Sequence, residues 1–176
     1  VSSPKSFKLK PKILEMPPQK MAVVYGKGAP DKVFSELMPA LYSSVYTLKF
    51  ALKKQGLPTF KVSGLRARYP DAHLVVKEEW AHIIGLPIPF DTVSLPQKTS
   101  GVEINLETWL YGTVAQILHL GSYDQGEPTI ERLHKFIGDS GYKITGDHEE
   151  EYLTTPSAKI TKTMIRYRVE KKESNA

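Results

Sequence analysis

The stretch His148-Glu149-Glu150-Glu151-Tyr152-Leu153 sets three successive carboxylates between an imidazole and a phenol. In an extended strand side chains alternate, so His148, Glu150 and Tyr152 share one face and Glu149, Glu151 and Leu153 the other. At least one glutamate must then turn toward an interior face, unless the segment is an edge loop. A carboxylate in an apolar groove is unfavourable when unpaired; it makes chemical sense where a cation or a water substrate completes the site. The alternation leaves two candidates: Glu150, with Tyr152 beside it to bond the acid or stack on a ligand, or Glu151, if Leu153 marks the buried face. A second group is aromatic. Tyr42 and Tyr46 lie one helical turn apart, Trp109 and Tyr111 two apart on a strand, and Tyr123 at a turn. Large rings mostly fill a core, and the same rings wall a pocket for flat molecules.

The rest of the chemical inventory is thin. His73, His82, His119, His134 and His148 show no i, i+4 pair and no metal-motif spacing, so structural or surface roles are expected and no metal or cofactor is implied. Gly26-Lys27-Gly28 follows a strand but lacks the Gly-Lys-Ser/Thr ending of a phosphate loop, which leaves a tight turn. With no cysteine among 176 residues, disulfides, thiolate nucleophiles and iron-sulfur clusters are excluded, and a reducing cytoplasm fits.

A net charge of +5 raises the question of nucleic acid, and the placement of the charge answers it. Residues 1–20 carry five Lys and one Glu, and residues 157–176 six Lys or Arg and two Glu, leaving 13 basic against 16 acidic residues in 21–156. A nucleic-acid binder needs a cationic stripe on a folded face, whereas here the excess sits at the two ends, so no nucleic-acid partner is expected. No run of 18 apolar residues exists, so no membrane span is expected either.

These groups need elements to hold them, and the chain reads as one pattern used twice. Met21-Ala22-Val23-Val24-Tyr25 is strand-like and leads through Gly26, Gly28 and Pro30 into a helix of about 25 residues ending at Gly56, then another strand. Val33, Leu37, Leu41, Val45, Leu48 and Leu52 form its apolar stripe, and Pro39 predicts a kink or a break into two pieces near Met38. Val114 to Leu120 is the second such strand, with His119 in it, followed by the turn Gly121 to Asp124, a helix from about Pro128 with Ile130, Leu133, Phe136 and Ile137 on one face, Gly141, and more strand. Thr163, Ile165, Tyr167 and Val169 alternate with Met164, Arg166 and Arg168 in a last strand with one polar face. The fold class is α+β: two strand-helix-strand-strand repeats forming antiparallel sheet with helices on one face. The boundaries are a basic lead-in over 1–19, a single domain over 20–170 (repeat one about 20–100, repeat two about 108–170), and a tail over 171–176. The stretch 71–107 fits neither repeat cleanly and predicts one strand with an irregular connection.

Gly26-x-Gly28-x-Pro30, Leu41-Tyr42-Ser43-Ser44-Val45-Tyr46-Thr47-Leu48-Lys49-Phe50, Gln116 to Tyr123 running on to Thr129-Ile130, His148-x-Glu150-x-Tyr152-Leu153 and Lys162-Thr163-Met164-Ile165-Arg166 occur in this order. Together they resemble the GyrI-like small-molecule-binding proteins, related to the effector-binding domains of multidrug-responsive transcription activators. The resemblance implies a ligand groove between the two repeats and selects Glu150 as the key acid. Together with the aromatic group read above, the candidate ligand-binding residues are Glu150, Tyr152, Tyr42, Tyr46, Trp109, Tyr111, Tyr123 and His119. Some stand-alone members hydrolyse cyclopropanoid genotoxins and carry a Leu-Glu-Gly-Leu-Trp-Trp type motif. The matching positions here read Val62-Ser63-Gly64-Leu65-Arg66-Ala67, without the acid at Ser63 and without tryptophans at Arg66 and Ala67. Tyr69 and Trp80 can replace that aromatic wall if the loop between them folds back. The reading is a cytoplasmic binding module for small hydrophobic or cationic compounds, in drug or toxin sequestration, without a DNA-binding domain. The alternatives are a ring-opening hydrolase with Glu150 activating water, and a protein-interaction inhibitor.

Overall fold

A computed structural model describes residues 10–174. The chain forms two compact units, an N-terminal one over Pro18–Leu110 and a C-terminal one from Tyr111 onward that also takes in the segment ending at Pro17. The lead-in expected over 1–19 is therefore corrected. Strand β1 (Lys12–Met16) pairs antiparallel with β6 (Gly112–Leu120), with Ile13 opposite Ala115, so the second repeat is completed by chain that precedes the first. Ile13-Leu14 is too short an apolar pair to register as a strand by periodicity; the free edge of β6 supplies what the local sequence lacks. Residues 1–9 of the expected lead-in lie outside the described residues.

In the N-terminal unit the sheet order is β3-β4-β2-β5, all antiparallel, from β2 (Gln19–Lys27), β3 (Arg66–Tyr69), β4 (Ala81–Pro87) and β5 (Asn105–Trp109). Helix α1 (Pro30–Lys54) buries Val33, Ala40, Leu41 and Val45 against Ala22, Val24, Ile84 and Leu86, the set that alternation turns to one face. The helix approaches so closely that a Cβ on Gly26 would lie 2.5 Å from Leu37 Cδ1 and 2.8 Å from Val33 Cγ1. Gly28, at φ 136°, makes the turn, and Trp80 O and the His82 ring hold its backbone. No break occurs at Pro39: α1 is one helix of 25 residues. Pro39 and Ser35 are both on the exposed side, so the Ser35 carbonyl that loses its helical donor can bond water instead. The stretch 71–107 holds β4 and the start of β5 around an irregular segment, one strand more than expected.

The C-terminal unit has the order β1-β6-β9-β8, with β8 (His148–Tyr152), β9 (Lys162–Lys171) and the short β7 (Tyr142–Ile144) on the far end of β9. Helix α2 (Glu127–Asp139) drives Leu133 and Ile137 into a core of Ala115, Ile117, Ile165, Tyr167 and Val169, with Ile13 and Phe136 at its edge. The expected tail begins later than Lys171, which still belongs to β9, and the Lys172 amide donates to Gly141 O at 2.8 Å. Each unit runs strand, glycine turn, helix, glycine, strands, so the repeat read from the sequence is present in both.

Candidate functional site

Directly opposed residues in an antiparallel pair share a face, and this sorts the acidic stretch. On one face the C-terminal unit sets Tyr152, Thr163 and His119 in a row, and Glu150, Ile165 and Ile117 in the next. Ile117 and Ile165 lie under α2, so Glu150 sits on the helix side of the sheet, at the edge of the apolar core. Its two oxygens are held separately: His148 Nε2 donates to Oε1 at 3.0 Å and the Tyr152 hydroxyl to Oε2 at 2.8 Å. Because a carboxylate only accepts, that Nε2 carries the proton and His148 Nδ1 accepts from Tyr167 OH at 2.5 Å. The result is a directed chain, Tyr167 to His148 to Glu150, with Tyr152 closing it from the other side. Burial raises the Glu150 pKa, but the His148 hydrogen bond, the charge His148 carries once protonated, the Tyr152 hydroxyl and the charge of a protonated His119 outweigh it, and the acid titrates below its ordinary value. Among the described residues no Lys or Arg pairs with it.

The rings around this acid respond to its charge. Tyr123 stands edge-on to Tyr152 with centroids 5.5 Å apart, and its phenol is pushed up by burial and then by Glu150. Tyr167 is raised by the same two causes and stays a donor. His119 is committed to the protein: its Nε2 donates to Ser122 O and its Nδ1 accepts from the Thr129 hydroxyl, both at 2.8 Å, which fastens the turn after β6 to the first turn of α2.

Glu149 and Glu151 turn to the opposite face, toward Arg166. Arg166 Nη1 reaches Glu149 Oε2 at 2.9 Å and Glu151 Oε1 at 3.2 Å, its Nε reaches Gln116 Oε1 at 3.3 Å, and Tyr111 OH donates to both Glu149 oxygens. Glu149 is only 2% exposed. Its charge neutralises a buried guanidinium. Tyr111 thus belongs to this ion-pair cluster. Trp109 is buried in the N-terminal unit on the face away from α1, its indole over Gly85 and the Arg68 guanidinium 3.9 Å from its ring centroid. It ends β5 while Tyr111 follows it, so the two do not share a strand. Tyr42 and Tyr46 stack along α1 at 6.3 Å, and Phe50 extends the ladder at 6.0 Å. Burial and then Tyr46 raise the Tyr42 phenol.

At the positions that depart from the ring-opening motif, Ser63 is exposed and precedes β3, Ala67 is fully buried and Arg66 lies on the other face of β3. Tyr69 and Trp80 do meet, with centroids 5.6 Å apart. Sequence reasoning grouped His148 with Glu150 but did not foresee Tyr167 behind it; the alternation Thr163, Ile165, Tyr167 carried that signal. Among the described residues no group of three or more His, Asp or Glu side chains is placed to hold a metal ion, and no helix is long and apolar enough to cross a membrane.

The chain is α+β, with a part-buried acid held by His148 and Tyr152 in its C-terminal unit. Residues 9–168 match the family described as the GyrI-like small molecule binding domain, and the chain belongs to that family. Among solved structures it is similar to a hydrolase from Listeria innocua, at 25% identity and TM-score 0.77, over 94% of this chain and 96% of that one. It is also similar to an uncharacterized conserved protein from Listeria innocua at 24% identity and TM-score 0.80, over 95% and 97% of the two chains. The fold extends to the EcmrR C-terminal domain at 16% identity and TM-score 0.67, over 93% and 98%. No curated protein sequence matches this chain significantly.

Proposed function

We propose that this domain binds amphipathic aromatic compounds, and planar cations in preference to neutral molecules of the same shape, with Glu150 as the charge partner. The observation that carries the reading is a largely buried carboxylate kept ionised by His148 and Tyr152 while no lysine or arginine among the described residues neutralises it. Each of its oxygens accepts one bond from the protein and has a lone pair to spare. Burying about 250 Å² of apolar ligand surface contributes roughly 6 kcal/mol before association costs, which alone gives weak binding. An ion pair to Glu150 and ring contacts with Tyr123 and Tyr152 supply the remainder. Sequestration of drugs or toxins is the role such chemistry suits. The test is a matched pair at pH 7, N-methylquinolinium against 1-methylnaphthalene, followed by tyrosine fluorescence. The cation binds about tenfold more tightly or better; equal affinities overturn the reading.

A second reading, hydrolysis of strained cyclopropane rings, is favoured by the similarity to a hydrolase. Glu150 would take a proton from water, the oxygen would bond to a ring carbon, and the electron pair of the broken carbon–carbon bond would be protonated from solvent. A carboxylate held below its ordinary pKa is a poor base for this step, and Ser63, Arg66 and Ala67 supply neither a second acid nor an aromatic wall. Incubation with a cyclopropane-bearing genotoxin decides it: a product heavier by one water favours hydrolysis, and unchanged mass favours binding alone.

A further inference from the structure

The N-terminal unit holds two buried side-chain nitrogens in neighbouring residues that no described residue satisfies. His82, 1% exposed, carries one. Its Nε2 lies 2.9 Å from the Gly28 carbonyl, and since a carbonyl only accepts, Nε2 carries the proton. Burial lowers the His82 pKa against the opposing pull of Gly28 and Asp71, so the ring is neutral. Its Nδ1 is therefore a bare acceptor, buried and without a partner among the described residues. Trp80 Nε1 is the complement, a buried donor equally without a partner. The two residues are two apart in extended backbone entering β4, which puts them on the same side, and both rings pack against Tyr69, at 5.6 Å for Trp80 and 5.2 Å for His82. Phe34 closes the other edge of His82 at 5.9 Å.

A buried donor and a buried acceptor left open around one tyrosine ring are each unfavourable, and stability alone does not explain them. We propose that Trp80 and His82 form a subsite for a neutral hydroxyl group on an aromatic ligand, which donates to His82 Nδ1 and accepts from the Trp80 indole. One hydroxyl does both, whereas an ether or a ketone leaves Nδ1 open and an ammonium leaves the indole open. Tyr69 and Phe34 supply edge-to-face walls for the ring that carries it. The chemistry is independent of Glu150, because its ligand is uncharged.

The test compares 1-naphthol with 1-methylnaphthalene at pH 7, read by the indole N–H resonances of the full chain. Only Trp80 and Trp109 carry an indole, so Trp80→Phe assigns the signal. Naphthol is expected to bind about tenfold more tightly and to shift the Trp80 indole, one well-made hydrogen-bond pair being worth about that much. Trp80→Phe and His82→Phe should each bring the ratio toward one, and Glu150→Gln should leave it unchanged. Trp80→Phe leaves the His82–Gly28 bond intact, so it answers the question even if His82→Phe disturbs the turn. Equal affinities in the parent, a preference that survives both substitutions, or a crystal soaked with naphthol that shows only a bridging water would overturn the subsite. A lost cation preference at Glu150 with the naphthol ratio intact would instead overturn the earlier reading alone.

Discussion

Replacing Arg166 by methionine should destabilise the C-terminal unit by about 3–5 kcal/mol, because it takes from the buried Glu149 carboxylate the guanidinium that faces it. The geometry sets that figure. The guanidinium and the Glu149 carboxylate are 2.9 Å apart with side chains 6% and 3% exposed. At an effective dielectric near 20, such a pair attracts by about 6 kcal/mol, from which the cost of desolvation is subtracted. Glu151, at 3.2 Å and 18% exposed, can turn to water when Arg166 is gone. Glu149, far less exposed, keeps the Tyr111 hydroxyl. Glu149→Gln should be milder, about 1–2 kcal/mol, since glutamine still accepts from Tyr111 and Arg166 keeps Glu151 and Gln116. The double variant Arg166→Met with Glu149→Gln should then be more stable than Arg166→Met alone. Both tryptophans lie in the other unit, so tryptophan fluorescence is the wrong probe. Hydrogen exchange of the β9 amides reports the correct one. A deficit below about 1 kcal/mol, or no recovery in the double variant, refutes the reasoning.

Glu150 is an acid with a lowered pKa, so the stability and cation affinity it contributes are present above the ordinary value of 4.5 and disappear as pH falls through the lower folded value. The Glu150 carboxyl carbon resonance should therefore keep its ionised position from about pH 8 to 5, and protonation of that acid between pH 6 and 5 would count against the account. Gly26→Ala should destabilise by about 1–3 kcal/mol in urea unfolding, because its Cβ would press on Leu37 and Val33; an unchanged midpoint would mean that α1 can move away freely. Leu133→Ala, at a fully buried position in the core under α2, should cost about 2–5 kcal/mol by the same measurement, and a loss under 1 kcal/mol would show that the core collapses into the space.

Where the sequence was most legible, the signal was local and periodic. The apolar stripe from Val33 to Leu52 and the face carrying Leu133 and Ile137 each specified a helix and its buried side, and the glycine turns at Gly28, Gly121 and Gly141 all adopt positive φ. Strand alternation likewise put His148, Glu150 and Tyr152 on one face. What stayed hidden was non-local. Strand β1 exists because β6 has an edge to offer, which nothing in Lys12–Met16 announces. Arg166 claims Glu149 from 17 positions away, and Tyr111 does so from 38. Trp109 and Tyr111 read as two residues of one strand, yet Trp109 ends β5 and packs against Arg68 and Gly85. Pro39 predicts a kink or a break, and the break does not occur because the carbonyl it orphans faces solvent, which the sequence does not reveal.

The central claim is that Glu150 gives this domain its preference for cations. The most direct measurement is the ratio of affinities for N-methylquinolinium and 1-methylnaphthalene in Glu150→Gln, set against the same ratio in the parent. Glutamine keeps the size of the side chain and one acceptor oxygen while removing the charge, so the fold and the neutral affinity should hold while the ratio falls from about ten or more to about one. A Glu150→Gln protein that keeps the parent's ratio contradicts the account.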